Sequence, residues 1–452
     1  MLIRFVFENI FSFKEETEFN MVPAKSLKTH PDHLTKVNSR ISVLRGSILY
    51  GANGAGKSNL VKAADVFQRI VLSGKVPSDI RYLRCRMNAL DRPISQTVEF
   101  SLEGKAYCYG ISYKEGLCTE EWLYAIGSER EKKIFERAYS PDRKTSELSF
   151  GKDFDLSGKN AMLVTLLEEN ILKDDELLIA HRDILKLPEL SAVYDWFDKY
   201  LSITFPSGRS TSSFNEMYSD DKFRKFAEDV LRGLDVGVDK IMFQNETLGE
   251  FIQEVPFIDG NMLDHAISDT KDGRRVIWDT SVFTASLSRD MENGQYYVRR
   301  IMTNHKVQGR DCFFELKEES DGTRRLMDYI PLIRDLNVSE VTALIDEIDQ
   351  SIHPNILLDM MAKLMGSPLS GQLICTSHES ILLDCDIFRT DEIWFVEKRK
   401  EDQATELYAL SDYKPRNDLD IRRGYLKGRF GAVPFLSYAD DLKCDPEDAV
   451  QK

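Results

Sequence analysis

Three short stretches carry residues whose types and spacing could do chemistry on a phosphate. The first is Gly51-Ala52-Asn53-Gly54-Ala55-Gly56-Lys57-Ser58, which fits the G-x-x-x-x-G-K-[ST] phosphate-loop pattern (Walker A) with no mismatch. Glycines let backbone N–H groups close around an anion, and a following helix N-terminus adds partial positive charge. Lys57 suits the β- and γ-phosphates, and the Ser58 hydroxyl suits Mg2+. Asn53, Gly54, Ala55, Gly56 and Asn59 complete the expected ATP contacts. The second stretch, Val341-Thr342-Ala343-Leu344-Ile345-Asp346-Glu347, is an apolar run ending in two acids, a Walker B pattern. Asp346 is the expected Mg2+ ligand, mostly through water, and Glu347 the group that polarises an attacking water. The third is Gln372–Thr376 followed by Ser377-His378, a strand whose tip puts a histidine within reach of a γ-phosphate. Together they predict Mg2+-dependent hydrolysis of ATP to ADP and phosphate.

These residues need particular elements to hold them. Ile48-Leu49-Tyr50 reads as a buried strand entering the phosphate loop. Asn59 to Ile70 has apolar residues at helical spacing, which predicts a helix to about Leu72. Strand, glycine-rich turn and helix is the context the motif requires. A further cradle is predicted at Ser320-Asp321-Gly322-Thr323, where a Ser-x-Gly turn opens a helix marked by Leu326, Ile330 and Ile333. Ser320, Gly322 and Thr323 would offer hydroxyls and amides to an anion. The order along the chain suits a γ-phosphate bound to another subunit.

The chain has 452 residues, a net charge of -15 and a pI near 5.1. That excludes a globally basic nucleic-acid binder while leaving room for a local basic patch. Length predicts two or three domains, and 42% hydrophobic residues suffice for a core. No run approaches the length of a membrane span, and the N-terminus has no signal-peptide core, so a cytoplasmic location is expected. Seven cysteines (Cys85, Cys108, Cys118, Cys312, Cys375, Cys385, Cys444) form no C-x-x-C pair and read as scattered thiols.

In order, residues 1–22 read as strand, turn, strand, and 95–139 as an antiparallel meander with turns at Glu103-Gly104 and Glu115-Gly116. Residues 161–170, 193–201 and 222–231 read as helices. Residues 236–318 read as short strands with turns at Asp259-Gly260, Asp272-Gly273 and Asn293-Gly294. The expected division is an N-terminal half over 1–158, a helical insertion over 159–235, and a C-terminal half over 236–452. The fold class is α/β.

These pieces in this order resemble the ABC-class ATPases related to SMC and Rad50 proteins, and more narrowly the AAA15-type ATPases of bacterial anti-phage defence. The similar stretches include Leu2 to Phe13, Ile48 to Leu60, Asn160 to Leu163, Ser320 to Thr323, Ile345 to Pro354, Thr376 to His378, Trp394 to Lys398 and Tyr425 to Pro434. The narrowest match is to the ATPase subunit of PARIS systems. The resemblance implies an ABC-type P-loop head with an antiparallel β lobe and a helical insertion. It implies a head-to-head dimer, or a higher oligomer, with ATP held between one subunit's Walker motifs and the other's Ser320 signature. Asp349 would lie on the loop that crosses that interface, and His378 would be the switch histidine. It also implies a separate effector nuclease of TOPRIM type, controlled by this subunit, and a phage-encoded acidic trigger protein. An alternative is a DNA-maintenance ATPase that binds DNA directly. Two departures stand out. Phe11 occupies the place where many relatives carry an arginine, and neither Gln96 nor Asn160 is an obvious counterpart of the glutamine that approaches the metal.

Three other features bear on effector chemistry within this chain. Asp384-Cys385-Asp386 resembles the acidic end of a TOPRIM strand, and Arg300 and His305 have the R-x4-H spacing of HEPN ribonucleases. Lys414, Arg416, Arg422, Arg423, Lys427 and Arg429 form a basic run. For the first two the bland readings dominate: a loop inside the ATPase sheet and a chance spacing on a strand. The basic run reads as a solvated face or as a docking patch for nucleic acid or an acidic protein.

Overall fold

The computed structural model describes residues 1–88, 91–127, 130–208, 212–255, 258, 260–270, 275–280, 283–383, 387–416 and 419–433. The Asp384–Asp386 stretch lies outside the described residues, as do Asp259, Asp272 and Gly273 of the expected turns. The described chain forms two compact units. One comprises 1–203, 344–346 and 372–452, the other 204–343 and 347–371.

The first unit holds two sheets. A seven-stranded antiparallel sheet runs in the order Thr145–Phe150, Glu131–Ser140, Leu117–Ile126, Lys105–Lys114, Ile94–Leu102, Leu2–Glu8 and Thr17–Asn20. This is the expected meander, extended by one strand on one side and by the N-terminal hairpin on the other. Its turns at Glu103-Gly104 and Glu115-Gly116 have positive φ at both residues, the geometry that matches the right-handed twist of the strands. The second sheet runs Leu201–Thr204, Thr342–Ile345, Gln372–Thr376, Gly46–Tyr50, Ile393–Lys398 and Thr405–Ala409. The Gly46–Tyr50 strand is parallel to both neighbours, Gln372–Thr376 and Ile393–Lys398. It is buried at every residue, as a central parallel strand must be. The Gln372 side chain links the sheets. It accepts from Leu2 N at 2.8 Å and donates to Leu2 O at 3.0 Å and Leu44 O at 2.7 Å.

The helix Lys57–Ser73 fills the space between, burying Leu60, Val61, Ala63, Ala64, Phe67, Ile70 and Val71. Phe67 stacks on Phe5 (6.3 Å between ring centroids) and Tyr109 (6.1 Å) and meets Phe197 edge-on at 5.0 Å. Trp196 stacks on Phe100 at 4.7 Å, so the helical stretch ending at Tyr200 closes the same core. That aromatic packing holds the phosphate-loop helix rigidly on the antiparallel lobe. The fold is α/β, with a P-loop strand and helix, an antiparallel lobe and helices within residues 158–233, as expected.

The second unit has a five-stranded antiparallel sheet: Val238–Thr247, Tyr296–Val307, Thr284–Arg289 and Val276–Asp279 in order, with Arg310–Glu315 also paired to Tyr296–Val307. Phe251, Ala266, Trp278, Phe283, Ala285, Leu287 and Val298 form its core. Helices Leu248–Glu254 and Gly260–Asp269 stand where only strands and turns were expected. The signal for the first was present as a capping box: Thr247 Oγ1 accepts from Glu250 N at 3.3 Å, and Thr247 N donates to the Glu250 carboxylate at 2.8 Å. No described helix is long and apolar enough to cross a membrane, and no disulfide joins the described cysteines.

Candidate functional site

In the first unit the phosphate loop leaves the C-terminal end of the Gly46–Tyr50 strand and enters the Lys57–Ser73 helix at Gly56. Gly56 has φ 120°, a region closed to residues with a Cβ, and a Cβ there would run into the Thr405 hydroxyl. The motif's last glycine is therefore required twice over. Asn53 and Gly54 are exposed at the loop tip, whereas Ala55, Gly56 and Lys57 are buried. Lys57 Nζ donates to Gly51 O at 2.7 Å and Ala52 O at 3.4 Å, which lays the ammonium along the loop.

Ser58, in the first turn of that helix, donates its hydroxyl to Asp346 Oδ1 at 3.1 Å. The same oxygen accepts from Thr376 Oγ1 at 2.7 Å. Asp346 is only 3% exposed, so these two hydroxyls compensate a carboxylate that burial would otherwise penalise. The arrangement suits Mg2+, which keeps most of its waters and takes one or two protein oxygens. Ser58 and Asp346 would hold it. Thr376 was not singled out from the sequence for this role, although it directly precedes Ser377-His378. His378 is exposed at the end of the Gln372–Thr376 strand. That strand runs parallel to Gly46–Tyr50, so its tip lies at the same sheet edge as the phosphate loop.

A hydroxyl and amide cluster underlies the loop. Asn59 Nδ2 donates to Ser12 Oγ at 2.8 Å. Ser12 Oγ and Thr405 Oγ1 lie 2.8 Å apart, and Thr405 Oγ1 donates to Ala55 O at 2.7 Å. Backbone Thr405 N also donates to Ser12 O at 2.8 Å. The side chain that approaches the loop is thus Ser12; Phe11 instead sits in a left-handed turn (φ 52°) with its N–H bonded to Leu83 O. The adjoining turn is pinned by Asp402, which accepts from Lys14 at 3.0 Å and from Arg399 at 2.8 Å. Those hydrogen bonds, Lys14's first, hold the Asp402 carboxyl down at about 2. Gln96 Nε2 donates to Ala63 O and its Oε1 accepts from Tyr113, while Asn160 Nδ2 donates to Asp155 O. Both amides serve the local fold.

Glu347, directly after Asp346 in the chain, belongs to the second unit. It has φ 51°, left-handed for a non-glycine residue, and Ser351 has φ 64°. Such conformations cost of order 1–3 kcal/mol and persist where surrounding structure over-determines them. Gln350 N donates to Glu347 O at 3.0 Å and Ile352 N to Asp349 O at 3.1 Å, so 347–352 is a tight double turn. It rests on the helix Asp321–Val338. A Cβ on Gly322 would lie 2.7 Å from Ser351 O, and the Tyr329 hydroxyl reaches Ile348 O at 3.4 Å. Arg325, 5% exposed, donates to the Tyr329 oxygen at 3.0 Å.

Ser320 is the N-cap of that helix. Its Oγ accepts from Thr323 N at 3.1 Å and lies 2.9 Å from Thr323 Oγ1. The preceding Glu319 is tied to His305 at 2.6 Å and to Thr303. His305 therefore anchors the turn that leads into the Asp321–Val338 helix. Arg300, on the same sheet, is buried among Glu246 and Glu315 of neighbouring strands and Glu254 at the end of the Leu248–Glu254 helix. Both members of the R-x4-H pair lie on the strand Tyr296–Val307, with their side-chain nitrogens already bound to carboxylates.

A family model described as "AAA domain, putative AbiEii toxin, Type IV TA system" matches residues 47–384. No curated protein matches the chain significantly. Solved structures similar to it include an SMC head bound to the C-terminal winged-helix domain of ScpA, at 14% identity over 92% of this chain and 99% of that one, with a TM-score of 0.44. The SMC head domain from Thermotoga maritima is similar at 9% identity over 90% and 98%, with a TM-score of 0.40. An SMC head with an extended coiled coil, bound to the C-terminal domain of ScpA derived from Pyrococcus furiosus, is similar at 13% over 91% and 97%, with a TM-score of 0.38.

Proposed function

The chain belongs to this AAA-domain family, and from that premise we propose that it is an ATP-hydrolysing switch that controls a separate effector in a bacterial defence system. The observation that carries the ATPase reading is the meeting of Ser58 and Asp346 beside the phosphate loop. The loop amides and Lys57 bind the phosphates; Ser58 and Asp346 would hold Mg2+, which would supply neutralisation of phosphate charge. Glu347 takes a proton from the attacking water, and His378 donates to the γ-phosphate. Ser320, Gly322 and Thr323 bind the γ-phosphate of a second copy, so two subunits close only before hydrolysis. Closure is then a difference in affinity between the ATP and ADP states.

The family description, a putative toxin of a type IV toxin–antitoxin system, supports the defence setting. One observation supports an effector outside this chain. In this chain the one pair with ribonuclease spacing, Arg300 and His305, is held by carboxylates, Arg300 by Glu315 and His305 by Glu319. The effector expected from the sequence is a TOPRIM-type nuclease and the trigger an acidic phage protein. Purification of the native operon product tests this. An ATP-dependent complex with a neighbouring gene's nuclease supports the reading, and a lone ATPase whose loss leaves phage sensitivity unchanged refutes it.

One observation favours the DNA-binding alternative. Lys414, Arg416, Arg422, Arg423, Lys427 and Arg429 are all exposed. Direct DNA binding through them would show an affinity that falls steeply with salt, and its absence would remove this alternative.

A further inference from the structure

We propose that Ser12 and Thr405 are positioning residues that pre-set the phosphate loop for nucleotide; the proposal rests on the ATP-binding reading. The two residues are 393 positions apart in the chain. The Ala55 carbonyl can only accept, so the Thr405 proton goes to it. The Thr405 hydroxyl also points its donor side at Ser12 Oγ, 2.8 Å away, and the Asn59 amide donates to the same Ser12 oxygen at 2.8 Å. The result is a hydrogen-bonded chain, Asn59–Ser12–Thr405–Ala55, in which Ser12 Oγ accepts from Asn59 and from Thr405 and the Thr405 hydroxyl reaches the Ala55 carbonyl.

The chain acts on the loop through the planarity of one peptide. In a trans peptide the C=O and the following N–H point in opposite directions. Holding the Ala55 carbonyl onto Thr405 therefore turns the Gly56 N–H the other way, as an anion-binding donor. Asn59 is held by the same chain, which fixes the first helical turn against the loop. Both hydroxyls are buried, Ser12 at 7% and Thr405 at 4% exposure, so water does not replace them cheaply. The missing Cβ of Gly56 is what lets Thr405 come this close. A loop held in its binding geometry beforehand has less to order when ATP arrives.

Calorimetric titration of the purified protein with ATP and Mg2+ tests this on Thr405→Val, which keeps the shape and removes the hydroxyl, on Thr405→Ser, which restores it, and on Ser12→Ala. The Kd for ATP should rise about tenfold in Thr405→Val and in Ser12→Ala, the effect of one lost buried hydrogen bond, and stay within about twofold of native in Thr405→Ser. Thr405→Val binding ATP as the native protein does, or Thr405→Ser as weak as Thr405→Val, overturns the proposal. Should Thr405→Val fail to fold, Ser12→Ala decides alone, by the same criterion. A native protein that binds no ATP overturns the ATP reading itself.

Discussion

The Ser58 hydroxyl lies 3.1 Å from Asp346 Oδ1, although 288 positions separate the two residues. Thr376 closes on the same oxygen at 2.7 Å. One residue opens a helix and the other two end strands of one sheet, so the sheet order itself builds a metal-type oxygen pair beside the phosphate loop. Replacing Asp346 by Asn keeps the size and one acceptor but removes the charge. Turnover should fall about 100- to 1000-fold, the scale of losing one charge-stabilising group. Melting should stay close to native, because Ser58 and Thr376 still find an acceptor. Phosphate release at several Mg2+ concentrations measures it; unchanged turnover would place the metal elsewhere.

Gly322 meets Ser351 O where a Cβ would stand 2.7 Å away. Gly322→Ala should therefore displace the 347–352 turn and destabilise the protein by about 1–3 kcal/mol, as overpacking does. Because Glu347 heads that turn, turnover should fall further than ATP affinity. Denaturant unfolding and a steady-state comparison of kcat with KM read the two effects separately. An alanine variant with native stability and kcat would show that the turn is not seated on this helix.

Arg300 sits among three carboxylates with its side chain 4% exposed. Removing it leaves like charges facing one another, so Arg300→Ala should destabilise by about 3–5 kcal/mol, as for breaking a buried ion pair from one side. Urea unfolding measures it. A stable Arg300→Ala protein that has lost an RNA-cleaving activity would revive the ribonuclease reading.

Asp402 carries a carboxyl held down at about 2 by Lys14 and Arg399. A carboxyl lowered in the folded state adds stability above its unfolded value near 4, and that stability drains away as pH falls from about 4 through about 2. Asp402→Asn should flatten this limb of a melting-temperature profile between pH 2 and 5 while leaving the neutral-pH slope alone. An identical acid limb in the variant would assign the loss to other carboxylates.

What could be read from the sequence follows from how local each signal is. Gly51 to Ser58 and Asp346-Glu347 are strings whose flanks carry their own strand and helix periodicity, so the phosphate loop, the acidic end of its companion strand and the sheet class were all legible. The meander was legible because Glu-Gly turns mark both of its tight hairpins. Ser12, Thr376 and Thr405 were not, since an isolated hydroxyl has no periodicity and gains meaning only from tertiary neighbours. The helix at Leu248–Glu254 was missed against its own capping box, because turn residues nearby outweighed a four-residue signal.

The central claim is that ATP closes two copies of this chain and that Glu347 reopens them. Light scattering on Glu347→Gln, with and without ATP and Mg2+, tests it most directly. The account predicts a monomer-sized or loosely associated particle without nucleotide, and a stable assembly of two or more subunits with ATP that persists because the water is no longer activated. A mass that ATP leaves unchanged, with turnover equal to that of the native protein, would contradict both the closure and the role of Glu347.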